Sequence, residues 1–268
     1  MRPDPFRDRH AVVTGGSSGI GLALVRRLVE RGARVSVLAL DDPDLEALRE
    51  EGLPAVVLAA GDVGDRARVE AAFAGFAEIQ GPPDLLVTVA GVTRPGYFQD
   101  LPDDEFEREM RVNYLGTLYA VRAVVPTMIE RRQGTIVAVS SAAGLLGVFG
   151  YSAYGPTKYA VRGLCEVLRV ELKPYGIHVG CVIPSDVDTP MLAFETPLKP
   201  PELVAISGTV KPIPPARVAD AVIRGIERRR PTIFTDQKTK WIWRLAFVAP
   251  GPFRWYMDRV VREARRNR

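Results

Sequence analysis

The stretch His10-Ala11-Val12-Val13-Thr14-Gly15-Gly16-Ser17-Ser18-Gly19-Ile20-Gly21 decides the fold. A short apolar run flows into a glycine-rich turn, after which Leu22, Val25, Leu28 and Val29 recur at helical spacing. The order is strand, glycine loop, helix. Glycines let the backbone approach a pyrophosphate, and a helix N-terminus offers it unpaired N–H groups and the positive end of a dipole. Ser17 and Ser18 add hydroxyl donors. Glycines also make turns that bind nothing, but this loop stands directly between a strand and a helix.

Outward from it the alternation continues. Residues 34–40, 55–60, 85–89, 134–140, 178–183 and a short 232–234 read as strands. Helical patterns cover 44–50, 65–80, 103–130, 154–173 and 215–228. This spacing predicts an α/β fold, a Rossmann-type doubly wound parallel sheet of three layers in a single domain. Asp41 and Asp42 follow the second strand about 20 residues past the glycine loop, where an acid accepts the ribose hydroxyls of a dinucleotide and repels a 2′-phosphate. Asp42, just before Pro43, equally fits a helix cap.

Tyr154 and Lys158 lie four residues apart at the start of a helical pattern, so both side chains leave one face. A free tyrosine loses its proton only near pH ~10, and a nearby ammonium lowers that value. Tyr151 has Gly155 in the corresponding position, so the pairing selects Tyr154. Ser141, at the end of the preceding strand, reaches the same sheet edge and is placed to polarise a carbonyl. Asn113 is a poor residue for a helix interior, which points to a polar role.

Composition excludes several classes. At 47% hydrophobic with a mean hydropathy near zero, the 268 residues describe an ordinary soluble core. Cys165, Cys181, His10 and His178 match no metal-ligand spacing, so no metal is expected, and the two cysteines read as buried thiols in a reducing compartment. No apolar run has the length of a signal peptide or membrane span, so the expected location is the cytoplasm. Residues 241–268 hold seven arginines against Asp258 and Glu263, a balance of +5, so the rest of the chain stands at −1 of the net +4. A neutral body argues against nucleic acid as a partner. The same tail carries all three tryptophans, Trp241, Trp243 and Trp255. Aromatics among arginines suit the headgroup region of an anionic membrane, and equally suit packing on the body or on a second subunit of a homo-oligomer. Residues 184–215 interleave eight prolines with apolar side chains, which predicts a substrate lid rather than a polar linker. Residues 1–235 are thus expected to form the catalytic body with that lid, and 236–268 a basic aromatic tail of the same domain.

These residues resemble the short-chain dehydrogenase/reductase family over roughly the first 235 positions. Thr14, Gly15 and the run to Gly21, with Gly19 and Ile20, look like its cofactor loop. The resemblance implies an adenine contact at Asp62 and Val63, a backbone contact at Ala90 and Gly91, and nicotinamide amide contacts at Val187 and Thr189. It also implies that Tyr154 exchanges a proton with the substrate oxygen, Ser141 positions that oxygen, Lys158 holds the nicotinamide ribose, and Asn113 orders a water relay. Thr88-Val89 stands where the family usually has two asparagines, Ser185 where it usually has glycine, and Leu40 where NADP-preferring relatives often carry arginine. With Asp41 and no basic residue in Gly15 to Gly21, the cofactor is expected to be NAD(H) in preference to NADP(H).

Within the family, Pro184-Ser-Asp-Val-Asp-Thr-Pro190, then Glu195-Thr-Pro-Leu-Lys-Pro-Pro201 and Ile206-Ser-Gly-Thr-Val210, resemble the ketodihydrosphingosine reductases. The implied partner is a small hydrophobic carbonyl or alcohol, here a long-chain 3-ketosphinganine. Steroid, sugar and polyketide ketoreductases share the same landmarks. A nucleotide sensor without turnover would not require Ser141, Tyr154 and Lys158 together.

Overall fold

Strands that are apolar on both sides build the sheet. The computed structural model describes residues 4–40, 42–53, 55–208 and 211–266, so Asp41 lies outside the described residues. All of β1 (His10–Thr14) is buried. Ala11 and Val13 join one core cluster and Val12 the other, the two-residue period of a strand covered on both faces. β2 (Arg34–Ala39), β3 (Val56–Ala60), β4 (Leu85–Thr88), β5 (Gly134–Val139), β6 (Ile177–Ile183) and β7 (Thr232–Phe234) complete the sheet. The spatial order is β3-β2-β1-β4-β5-β6-β7, every neighbouring pair parallel. The order reverses between β1 and β4, and there the carboxyl ends of the strands open a crevice.

The helices are α1 (Gly19–Glu30), α2 (Pro43–Glu50), α3 (Arg66–Gln80), α4 (Asp103–Glu109), α5 (Gly116–Glu130), α6 (Tyr154–Leu172), α7 (Pro190–Glu195), α8 (Pro201–Ser207), α9 (Pro215–Glu227), α10 (Gln237–Val248) and α11 (Pro250–Arg266). Leu24, Val25 and Leu28 of α1 and Val218 and Val222 of α9 cover one face of the sheet with Val35 and Val37. Val69, Phe73 and Phe76 of α3, with Val121 and Val124 of α5, cover the other with Leu38, Leu86 and Ile136. Fully burying each such side chain contributes about 1.5–3 kcal/mol. Asp42 and Asp65 cap α2 and α3, accepting from Leu45 N–H at 3.0 Å and from Ala67 N–H at 2.9 Å.

Two segments differ from the sequence expectation, and a third takes one of the placements it left open. The 103–130 pattern is not one continuous α-helix: a π-helical turn, Met110–Leu115, separates α4 from α5. The 184–215 segment is not an open loop; it holds α7, a 3-10 turn at Thr196–Leu198 and α8. Pro190 and Pro201 occupy the first position of α7 and α8, where a missing N–H costs nothing, so these prolines start helices rather than break them. The tail forms two helices that pack on the body, α11 against α8 and α10 beside β7, where the Trp243 ring lies 5.6 Å from that of Phe234.

Candidate active site

The glycine loop folds into a cradle. Gly15 adopts φ +68°, and a Cβ there would lie 2.7 Å from the Ala90 backbone. Gly19 adopts φ +51°, and its Cβ would meet the Thr189 side chain at 3.0 Å. At Gly15, backbone therefore faces backbone across the crevice between β1 and β4. Ser18 is the N-cap of α1, yet its hydroxyl makes no capping bond, and no acid stands in the first turn to oppose an anion. Gly15, Ser17, Ser18, Asp62, Val63 and Ala90 line one cleft of about 570 Å³. The residues present fit a dinucleotide: the glycine loop would hold its pyrophosphate, and the cleft beside it is long enough to run to Asp62 and Val63. Asp42 lines the cleft as well as capping α2. Sequence reasoning missed Arg108 and Arg111, which line the same cleft from the far wall.

A second cavity of about 750 Å³ opens from the first. Ile20, Val89, Gly91, Thr189 and Met191 line both, so the two meet at the carboxyl end of β4. Val187 is buried and bridges Ile213, while Thr189 caps α7 through Leu192 N–H at 3.3 Å. Beside that junction stand Ser141, Tyr154 and Lys158. Ser140 donates to the Lys158 carbonyl at 2.7 Å, which pins the end of β5 to the first turns of α6. Ser141 begins a short 3-10 turn, Ala142–Gly144, and accepts from Ala143 N–H at 3.1 Å.

Asn113 sits in the π-helical turn, fully buried. Its Oδ1 accepts from Val92 N–H at 2.8 Å, and its Nδ2 donates to the Val92 carbonyl and to Thr157 Oγ1, both at 3.0 Å. The amide thus braces the segment after β4 against the catalytic helix, in a part of the fold where Thr88 offers only a 3.4 Å contact with Thr117. A π-turn in a helix is a local cost that recurs at functional sites. Here it delivers the Asn113 amide to two elements at once.

Electrostatics departs from the sequence expectation at Tyr154. Burial raises its phenol well above the usual tyrosine value. A hydrogen bond with Ser141 opposes this, and the negative charges of Glu195, Glu109 and Asp186 add to it. The Lys158 ammonium lies 5.5 Å from the Tyr154 ring and donates to the Val139 carbonyl at 3.2 Å. Burial pulls that ammonium down to about 8. The i,i+4 spacing does put the two groups together, but desolvation dominates and holds the phenol up. A phenol held protonated is suited to giving a proton to a carbonyl oxygen.

The walls of the second cavity are apolar. Leu145, Leu146 and Val148 follow β5, Met191, Leu192 and Leu203 come from α7 and α8, and Ile242, Trp243, Phe253 and Met257 come from the tail. One face of the tail thereby closes the cavity. Arg265 of α11 pairs with Glu202 of α8 at 3.0 Å, and the Glu202 side chain is 1% exposed. The opposite face leaves Trp241, Phe247, Val248 and Trp255 exposed, Val248 by 80%. No helix among the described residues is long and apolar enough to cross a membrane.

Similarity to known proteins runs in the same direction. Residues 9–198 match the model of the short chain dehydrogenase family. A 3-dehydrosphinganine reductase from Danio rerio is 41% identical, the match covering 83% of this chain and 70% of that protein. A 3-ketodihydrosphingosine reductase from Dictyostelium discoideum is 38% identical, over 92% of this chain and 79% of its own length. Among solved structures, a short chain dehydrogenase/reductase from Burkholderia phymatum in complex with NAD superposes with a TM-score of 0.80 at 26% identity, covering 90% of this chain and 94% of that one.

Proposed function

The chain belongs to the short chain dehydrogenase family and is a nicotinamide-dependent oxidoreductase, and on that premise we propose that it reduces a long-chain 3-ketosphinganine-type ketone to its secondary alcohol. The observation that carries this is the convergence of Ser141, Tyr154 and Lys158 at the polar end of an apolar cavity of about 750 Å³. When bound, a nicotinamide dinucleotide supplies the hydride. Tyr154 gives its proton to the carbonyl oxygen, which Ser141 holds in place. Lys158 orients the ribose end of the cofactor and keeps a positive charge beside the phenol as the proton leaves. Asn113 fixes the helix that carries both. A water relay from Asn113, implied by the family, would start from a residue whose side-chain amide already binds Val92 and Thr157.

An alkyl chain suits this cavity because each buried methylene contributes about 0.8 kcal/mol. Activity against ketones of increasing chain length tests it: kcat/KM should rise steeply until the cavity is filled. A flat series, or a preference for a compact sugar or rigid steroid, removes the lipid substrate and leaves the oxidoreductase.

NAD(H) is the proposed cofactor, supported by Leu40 just after β2 and by a glycine loop with no basic residue. The protein is further proposed to work in the cytoplasm at an anionic membrane surface. The exposed Trp241, Phe247 and Trp255 beside arginines support that placement, and so do two buried, free thiols. Flotation with anionic liposomes tests the placement; lipid binding unchanged on removing residues 237–268 overturns it.

A further inference from the structure

Four polar residues that the reduction itself does not use stand together at the catalytic end of the substrate cavity. Asp186 follows β6, Glu195 ends α7, and Lys199 lies just beyond the 3-10 turn. Lys199 Nζ is 2.8 Å from Glu195 Oε1 and 3.8 Å from Asp186 Oδ2. Tyr151 donates to Glu195 Oε1 at 2.9 Å, and its ring centre is 5.3 Å from that of Tyr154. Tyr151, Ser185, Asp186 and Glu195 line the same cavity as Ser141 and Tyr154. Ser185 Oγ is buried there without a hydrogen-bond partner among the described residues.

The charges do not balance. Lys199 and Glu195 form a neutral pair with side chains only 6% and 8% exposed, and Asp186 adds a second carboxylate, leaving one negative charge in excess. An excess charge beside an apolar cavity is costly unless a cation meets it. Burial pushes both carboxyls above their usual range, and Lys199 only partly offsets this. A substrate that brought its own ammonium would supply the missing charge. A simple ketone would gain nothing from this arrangement and would leave Asp186 sharing the Lys199 ammonium with Glu195.

We propose that Asp186, supported by the Glu195–Lys199 pair, recognises the protonated amino group of an α-amino ketone, with the unpartnered Ser185 hydroxyl available to an adjacent hydroxyl of the same head group. This rests on the ketone reduction proposed above and specifies the polar end of its substrate. It makes Asp186 the residue that selects amino ketones over plain ketones, and it disfavours N-acylated ones, whose amide carries no charge. Tyr151 is a positioning residue here, holding Glu195 while its ring packs beside Tyr154.

The test compares a long-chain 2-amino-1-hydroxy-3-ketone with the same molecule lacking the amino group, in wild-type enzyme and in Asp186→Asn, Glu195→Gln and Lys199→Gln. Asp186→Asn should lower the ratio of kcat/KM for the amino ketone over the plain ketone by about thirtyfold or more, chiefly through KM. Lys199→Gln removes the competing cation and should keep or raise the same ratio. A purely structural ion-pair cluster would instead lower both activities together in all three variants. The proposal is overturned if wild-type enzyme does not prefer the amino ketone, or if Asp186→Asn leaves the ratio within about threefold. Chain-length dependence is read separately: a flat length series with amino selectivity intact removes the lipid chain and leaves the head-group site standing.

Discussion

Asn113 Nδ2 donates to Thr157 Oγ1 at 3.0 Å, joining the π-helical turn to the residue that precedes Lys158. Thr157 in turn donates to the Tyr154 carbonyl at 2.8 Å. One buried amide therefore holds the catalytic helix at its first turn. Thr157→Val keeps the shape and removes only the hydroxyl, at about 1 kcal/mol. Asn113→Ala also strands the Val92 N–H and carbonyl and should cost more. Both should lower kcat more than they raise KM. Measured together, they should be non-additive, since they break one link. Additive losses in melting temperature with kcat intact would reduce Asn113 to a fold residue.

Tyr154→Phe should bind the cofactor as wild type does and lose about 10²- to 10⁴-fold in turnover, because only the proton path is removed. Nicotinamide fluorescence reports binding and single-turnover kinetics reports chemistry. Near wild-type kcat would mean that another group delivers the proton.

Glu109 is fully buried, its Oε1 accepting from Arg94 N–H at 2.6 Å and its Oε2 without a partner among the described residues. Burial pushes its carboxyl up to about 8. The folded-state value is thus raised above the unfolded one, so its stability contribution is complete below about pH 4.5 and is lost as pH rises toward 8. Denaturant unfolding of wild-type protein should show stability declining over that interval. Glu109→Gln should flatten the slope and gain more at pH 8 than at pH 5. Parallel pH profiles for the two proteins would show that Glu109 does not titrate in this window.

Arg265 of α11 holds the tail on α8 through Glu202, whose Oε2 also accepts from Tyr97 at 2.9 Å. Arg265→Ala removes this ion pair from the buried carboxylate. The tail should loosen, and KM should rise by about fivefold or more for the longest ketones but little for short ones. Limited proteolysis within α10 and α11 should accelerate in parallel. Equal changes for short and long substrates would separate the tail from the alkyl end of the cavity.

Side-by-side KM values for NADH and NADPH should favour NADH. A strong NADPH preference overturns the proposed cofactor and points to Arg108 and Arg111, the cations lining that cleft. Arg111→Ala would then raise KM for NADPH more than for NADH.

Several decisive features follow from sequence because they are local. The apolar run before Gly15 and the helical spacing after Gly21 specify strand, turn and helix within 20 residues, and the close backbone approach at Gly15 and the positive φ at Gly19 explain why glycine stands there. Tyr154 and Lys158 were legible together because the helical period puts four-residue neighbours on one face. Their electrostatics was not, since the state of the Tyr154 phenol depends on burial and on Glu195, Glu109 and Asp186, which come from other elements. The π-turn at Asn113 leaves no mark in a hydrophobic pattern, because it is stabilised by partners 21 and 44 residues away. Tail residues Ile242, Trp243 and Phe253 look in sequence like a membrane or subunit surface, and only the docking of α10 and α11 turns one face inward as a cavity wall. Asp186, Glu195 and Lys199 fall within 14 residues of sequence, but only the fold gathers them with Tyr151 beside Tyr154. Spacing fixes which side chains share an element; burial and inter-element contact, which fix their charge and role, exist only once the chain has closed on itself.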